Sequence, residues 1–182
     1  GDQINALDFI DQAEVGFKGK FKNANLFATL FYAKTVEEGG FEATTQQIIE
    51  NDYSSVGLEL EGGYRFSDDF DVRGTLTYTN AKIDSGDNEG NAPRRQPDFI
   101  YSLVSSYKFG ATKRHSVGLS AIGQSKAYAQ DSNELVLPAF TILNSFINYE
   151  ITDNLTMNLS ANNLFDSLGI TESEEGSITE GQ

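Results

Sequence analysis

Polar and apolar residues alternate one for one through most of this chain, the period of a strand whose two faces meet different surroundings. Between Gln12 and Phe21, Ala13, Val15, Phe17 and Gly19 interleave with Gln12, Glu14, Lys18 and Lys20. From Asn25 to Lys34, Leu26, Ala28, Leu30 and Tyr32 take one face, and Phe27 and Phe31 the other. Val56, Leu58, Leu60 and Tyr64 oppose Ser55, Glu59, Glu61 and Arg65; Val72, Leu76 and Tyr78 oppose Asp71, Arg73, Thr75 and Thr77. The same rhythm recurs in FIYSLVSSYKF, in HSVGLSAIG around Leu119, and in LTMNLSA, where Leu155, Met157 and Leu159 oppose Thr156, Asn158 and Ser160. AFTILNSFINYEI is ambiguous, because a bulge near Ile142 would exchange its faces. The pattern predicts about eight strands.

The connections sort by length. Lys22–Ala24, Ser67–Asp69, Gly110–Lys113 and Thr152–Asp153 read as tight turns. Ile83–Pro97, Tyr128–Leu137 and the tail after Leu164 read as long polar loops, and Val36–Gly40 as a shorter one. Consecutive antiparallel strands place all the tight turns at one end and all the loops at the other, as in outer-membrane barrels; a soluble sandwich has no reason to sort them. Most strands run to roughly 9–12 residues, what a tilted strand needs to cross a bilayer. Aromatics gather at both ends: Phe21, Phe66, Phe70, Phe109 and Tyr149 by the turns, and Tyr32, Tyr78, Phe99, Tyr101, Tyr128 and Phe140 by the loops. The expectation is an all-β, antiparallel up-and-down transmembrane barrel. Val72, Leu76, Leu119, Leu155, Met157 and Leu159 would face lipid, and Glu59, Glu61, Arg65 and Arg73 the lumen.

Composition changes this picture little. The 182 residues include 17 Gly, 13 Phe and 8 Tyr but no Trp or Cys, which suits strands and removes disulfides and thiolate chemistry. Acids outnumber bases 27 to 13, a formal charge of −14 that argues against a nucleic-acid partner. No apolar run is long enough for a spanning helix, which leaves spanning strands untouched.

LTMNLSANNLFD (Leu155–Asp166) resembles the penultimate strand and its exit in TonB-dependent outer-membrane receptors. There, Asn163, Leu164, Phe165 and Asp166 match the family's motif. Tyr53–Asp84, Asn91–Phe109 and Leu137–Leu155 are similar in kind, and the ordered set carries more than any one piece. Gly169 departs from the family, which often has Tyr three residues after the Asp, and a final strand ending in an aromatic residue is missing. The resemblance implies the C-terminal portion of a barrel of about 22 strands, with plug domain, earlier strands and final strand outside this chain. It also implies active uptake of a scarce large solute, a ferric siderophore or an oligosaccharide. The implied partners are outer-membrane lipid and lipopolysaccharide, the receptor's own plug and the TonB energy complex, in a Gram-negative outer membrane. A passive porin-like barrel and a soluble β-sandwich binding module are the rival readings.

No catalytic constellation emerges, and no enzyme activity, cofactor or metal is expected. His115, the one histidine, sits beside Lys113 and Arg114 at a tight turn and reads as a surface residue. DSGDNEGN (Asp84–Asn91) has acids and glycines but lacks a closing Glu at the calcium-loop offset, so it reads as a solvated loop. Glu59 and Glu61 read as lumen charges paired with Arg65 or Arg73. Arg94 and Arg95, entering a strand from a loop, are weak candidates for an anionic ligand or a lipopolysaccharide phosphate, because guanidinium pairs with such groups bidentately.

Overall fold

The computed structural model describes residues 9–42, 47–174 and 177–181. Its centre is one eight-stranded antiparallel sheet in which every strand pairs with the next in sequence. The strands are β1 (Phe9–Lys20), β2 (Ala24–Glu42), β3 (Gln47–Arg65), β4 (Phe70–Ile83), β5 (Phe99–Phe109), β6 (His115–Gln124), β9 (Phe140–Thr152) and β10 (Leu155–Ala161). Two small hairpins stand apart from the sheet: β7 (Ala127–Tyr128) with β8 (Val136–Leu137), in the connection from β6 to β9, and β11 (Gly169–Glu174) with β12 (Ser177–Gly181), after β10. The sheet does not close on itself, so β1 and β10 are its edges.

The ladders carry one apolar row across all eight strands, because directly paired residues share a face. Phe17 pairs with Ala28, Ala28 with Leu60, Leu60 with Leu76 and Leu76 with Tyr101. Further along, Leu119 pairs with Ser105, Val117 with Ile147 and Ile147 with Leu159. No second layer covers this face among the described residues, where the eight strands contact their sheet neighbours and, at β9 alone, the small β11 hairpin. Leu119 is 48% exposed and Leu159 55%, values a sandwich core would not show. That observation removes the soluble-sandwich reading.

Three predicted details need correction. Val36–Gly40 is no loop: β2 and β3 run for 19 residues each and stay paired through this stretch, with a register shift between Glu37 and Gly40. At ~3.4 Å per residue each runs to ~65 Å, about twice the hydrocarbon thickness of a bilayer. Strand β9 has no bulge near Ile142, because its register with β6 is unbroken; the irregularity lies between Leu155 and Thr156 instead. Phe140 therefore falls on the polar face opposite Gln124, outside any apolar girdle, and its ring lies against Gly169.

Large rings on the polar face are housed by glycine. Phe31 is paired with Gly57 and Phe146 with Gly118, and a Cβ added at either glycine would come within 2.3 Å of the partner ring. Each ring lies across the bare backbone of its neighbour, which is how a mainly polar face accommodates a phenylalanine.

Candidate functional site

The long-loop end holds a small buried core. Ile83 is 1% exposed and Leu137 2%; Ala127 and Ala129 are buried beside Leu137, and Ile170 of β11 packs on that cluster. The loops read from sequence as solvated thus fold over one another. The 84–98 loop and the β7–β8 hairpin are stitched together by backbone groups: Arg95 N–H donates to the Tyr128 carbonyl at 2.6 Å. Asn133 bonds Ala92 reciprocally, Oδ1 accepting from its N–H at 3.0 Å and Nδ2 donating to its carbonyl at 2.8 Å.

Asp131 is the hub. It is 2% exposed; its Oδ1 accepts the Arg94 N–H at 2.8 Å, and its carbonyl accepts from Asn91 Nδ2 at 2.9 Å. A buried carboxylate held by a backbone donor ties two loops that are far apart in sequence. Arg94 and Arg95 are both exposed on this assembly, and Arg95 adopts a φ of 58°. The acidic Asp84–Asn91 stretch turns back through Gly90, whose N–H donates to the Ile83 carbonyl, while Ser54 Oγ donates to Asp84 at 2.7 Å. No group of three or more metal-ligating side chains forms among the described residues.

The Asn163 motif is a turn device. Asn163 has φ 52°; its Oδ1 accepts the Ser167 N–H at 2.8 Å, and its Nδ2 donates to the Ser167 carbonyl at 3.0 Å. The backbone holds it too, since its own N–H donates to Asn144 Oδ1 at 2.8 Å and the Leu164 N–H donates to the Leu143 carbonyl. Asparagine fits because its short amide tolerates the left-handed region and closes the loop on itself. Asp166 also has φ 52°. Phe165 is 77% exposed, with Leu164 and Leu168 exposed beside it.

On the polar face, Glu59, Glu61, Arg65 and Arg73 all appear, but not paired as expected. Arg73 Nε meets Asp71 at 3.3 Å, and no ion pair joins either glutamate to either arginine among the described residues. Glu61 stands opposite Thr75 and Glu59 opposite Thr77, one and two rows from Arg73, which pairs instead with Asp71 of its own strand. Val72, Leu76, Leu119, Met157 and Leu159 lie on the apolar face; Leu155 does so only beyond the register shift.

At the tight-turn end, ion pairs join neighbouring turns. Lys113 reaches Asp69 at 2.6 Å, and Arg114 bonds both Glu150 and Asp153. The hydrogen bond to Asp69 raises the Lys113 pKa above its ordinary value, and the bonds to Glu150 and Asp153 do the same for Arg114. The His115 ring stacks on Tyr149 at 4.0 Å within the aromatic belt, and its Nδ1 accepts the Glu150 N–H.

A receptor barrel accounts for this architecture, and comparison with known proteins decides the family. Residues 9–164 match the family model described as TonB dependent receptor-like, beta-barrel. The chain belongs to the TonB-dependent receptor family. Its place is therefore the outer membrane of a Gram-negative cell, and the family is one of transport receptors. The chain is 31% identical over 124 residues to the ferrioxamine receptor of Yersinia enterocolitica, covering 66% of this chain and 17% of that protein. It is 26% identical over 173 residues to the ferripyoverdine receptor of Pseudomonas aeruginosa, covering 84% and 21%. In fold it is similar to the ferric yersiniabactin uptake receptor FyuA from Yersinia pestis, with TM-score 0.79, 18% identity, and 95% of this chain and 28% of that chain covered. The chain spans about a fifth of the length of the curated relatives it matches.

Proposed function

We propose that this chain is a section of the wall and loops of a receptor that imports a ferric siderophore, powered through TonB. The observation that carries the reading is a meander whose apolar face has no protein cover among the described residues, within a chain whose curated relatives are receptors and transporters of iron complexes. In this reading acyl chains touch Val72, Leu76, Leu119, Met157 and Leu159, and the polar face lines the lumen, where Thr, Asn, Ser and charged groups find water or a plug domain. The loop-end cap, braced by Asp131, holds Arg94 and Arg95 at the outer mouth, where their guanidinium groups meet an anionic ligand or lipopolysaccharide phosphate. No carbohydrate receptor stands among the named relatives above, so the ferric complex is the cargo proposed.

The test is uptake by the intact receptor. Cells lacking other ferric-siderophore receptors are supplied with iron-55 bound to hydroxamate, catecholate and mixed siderophores. Uptake of at least one that stops on adding a proton uncoupler, and on deleting TonB, is the expected result. Saturation independent of TonB, or uptake of an oligosaccharide with none of iron, overturns the proposal.

A further inference from the structure

The polar face is not polar throughout. One ladder row runs Thr29, Glu59, Thr77 and then turns to Ile100, Gln124 and Phe140. The next runs Glu61, Thr75, Ser102 and then turns to Ile122 and Ile142. Ile100 is 45% exposed and Ile122 50%, while Ile142 and Phe140 are half-buried. No ionisable side chain stands in these two rows on β5, β6 or β9; the acids in them, Glu59 and Glu61, belong to β3. Water gives such side chains no partner, and contiguous exposed apolar surface of this kind marks a binding groove.

Its place is the loop end. Ile100 is the second residue of β5, Ile142 the third of β9, and Ile122 the third from the end of β6. From Phe109 to Ile100 the strand runs ~31 Å, or ~22 Å of depth at a tilt of ~45°, the outer part of an apolar band ~25 Å tall. The apolar surface continues from there into the cap: the Phe140 ring lies against Gly169, and Ile170 packs on the buried cluster of Ala127, Ala129 and Leu137. One polar group interrupts the patch. The Gln124 side chain, between Ile100 and Phe140, makes no hydrogen bond among the described residues, whereas Thr75 and Ser102 at the polar border satisfy each other at 2.8 Å. Branched aliphatic side chains around one open amide suit a hydrocarbon chain that begins at an amide link.

We propose that this patch seats the apolar arm of the cargo, an acyl chain joined by an amide to the iron-binding head. The inference rests on the proposed reading of the polar face as a lumen wall and of the cargo as a ferric siderophore. A hydrated ferric head gains nothing from aliphatic surface; an acyl arm leaves water for it. The patch stands at the end from which a solute arrives, below the loops that hold Arg94, so head and arm of one amphiphilic complex meet different parts of the same mouth.

The experiment measures binding of iron-55 complexes of a linear trihydroxamate and of a catecholate, each bare and as its N-octanoyl amide, to cells carrying the intact receptor. Binding to cells lacking it is subtracted. At least one octanoyl complex is expected to bind ~10-fold or more tighter than its bare partner, which burial of about two methylenes supplies. Equal binding within both pairs, the result if protein already covers the patch, overturns the proposal, as does failure of both octanoyl complexes to bind. In the double variant Ile122→Thr with Ile142→Thr, β-branched like the parent residues, the preference is expected to fall below ~3-fold, the loss falling on the octanoyl complex. Heat-modifiable gel mobility shows that the variant is folded; a preference kept in the folded variant also overturns the acyl site. TonB-dependent import is scored with the same complexes. Import of both members of a pair without preference sinks the acyl site alone, and preferential binding without import sinks the uptake reading alone.

Discussion

Placing an arginine at Leu76 and, separately, at its neighbour Thr77 tests the assignment of faces most directly. Leu76 is the seventh of the fourteen residues of β4, between Leu60 and Tyr101 on the apolar face. Six residues from Phe70 span ~20 Å along the strand, or ~14 Å of depth at a tilt of ~45°, close to the middle of the apolar band. An arginine facing lipid at that depth costs ~2–4 kcal/mol. Thr77 is at the same depth but stands opposite Glu59 and Ile100 on the polar face. An arginine there keeps its hydration and gains the Glu59 carboxylate, so Thr77→Arg is expected to cost well under ~1 kcal/mol. With the Thr77→Arg cost near zero, the two variants differ by ~30- to ~700-fold in folding equilibrium constant at ~1.4 kcal/mol per decade. The assay is a urea titration of the intact receptor refolding into phosphatidylcholine bilayers, scored by gel mobility. Equal costs, or a larger one for Thr77→Arg, would refute the claim that the apolar row touches lipid.

Three further outcomes follow from particular contacts. Gly118→Ala puts a methyl 2.3 Å from the Phe146 ring and 2.2 Å from the Ser105 carbonyl, so ~1–3 kcal/mol of destabilisation is expected in the same titration. Asn163→Ala removes both bonds to Ser167 and leaves a residue with a Cβ at φ 52°; faster hydrogen exchange over residues 164–168, with exchange in β4 unchanged, checks it. The Lys113–Asp69 pair sets a pH dependence at the turns. Because the folded-state pKa of Lys113 is raised, its contribution is fully present below the ordinary lysine value and is lost as pH climbs through the raised one. Comparing urea midpoints of the parent and Lys113→Met from pH 9 to pH 12 should show a difference that vanishes at the alkaline end.

The sheet was legible because its two faces meet different media, and such faces write themselves into sequence with a period of two. Val72, Leu76 and Tyr78 against Asp71, Thr75 and Thr77 leave one register open, and the tight turns at Ser67–Asp69 and Gly110–Lys113 set it. Legibility failed where that contrast fades. In AFTILNSFINYEI both faces are largely apolar, so parity alone could not say whether Phe140 and Phe146 belonged with lipid. What decides is Gly118, a partner on β6 that no local pattern around Phe146 reveals. The β2–β3 extension was missed for a related reason: Glu37, Glu38 and two glycines resemble a turn, but the ladder carries the backbone past them.

The loop-end cap was hidden by a different physics. Strand faces are set by neighbours two residues away or directly across a ladder, whereas the cap is held by pairs such as Arg94 with Asp131 and Ala92 with Asn133, about forty residues apart. Polar loop composition says that such segments prefer water; it is silent on which carbonyls and amides meet once Ile83 and Leu137 are buried. One signal was present: Ala127 and Ala129 on one side, and Val136 and Leu137 on the other, flank the polar run Gln130–Glu134, the spacing of a small hairpin. Arg94 was singled out for its guanidinium, yet its backbone N–H is the group that engages the buried carboxylate. The two parts of this arginine meet different surroundings, the N–H bonded to the buried carboxylate and the side chain exposed at the cap's surface. Arg94→Ala keeps that N–H, so in the intact receptor it should weaken an anionic ferric complex while leaving the cap's hydrogen-exchange protection intact. Asp131→Ala should expose the cap to exchange first. If Arg94→Ala loosens the cap as much as Asp131→Ala does, the side chain holds the structure and is not free for a ligand.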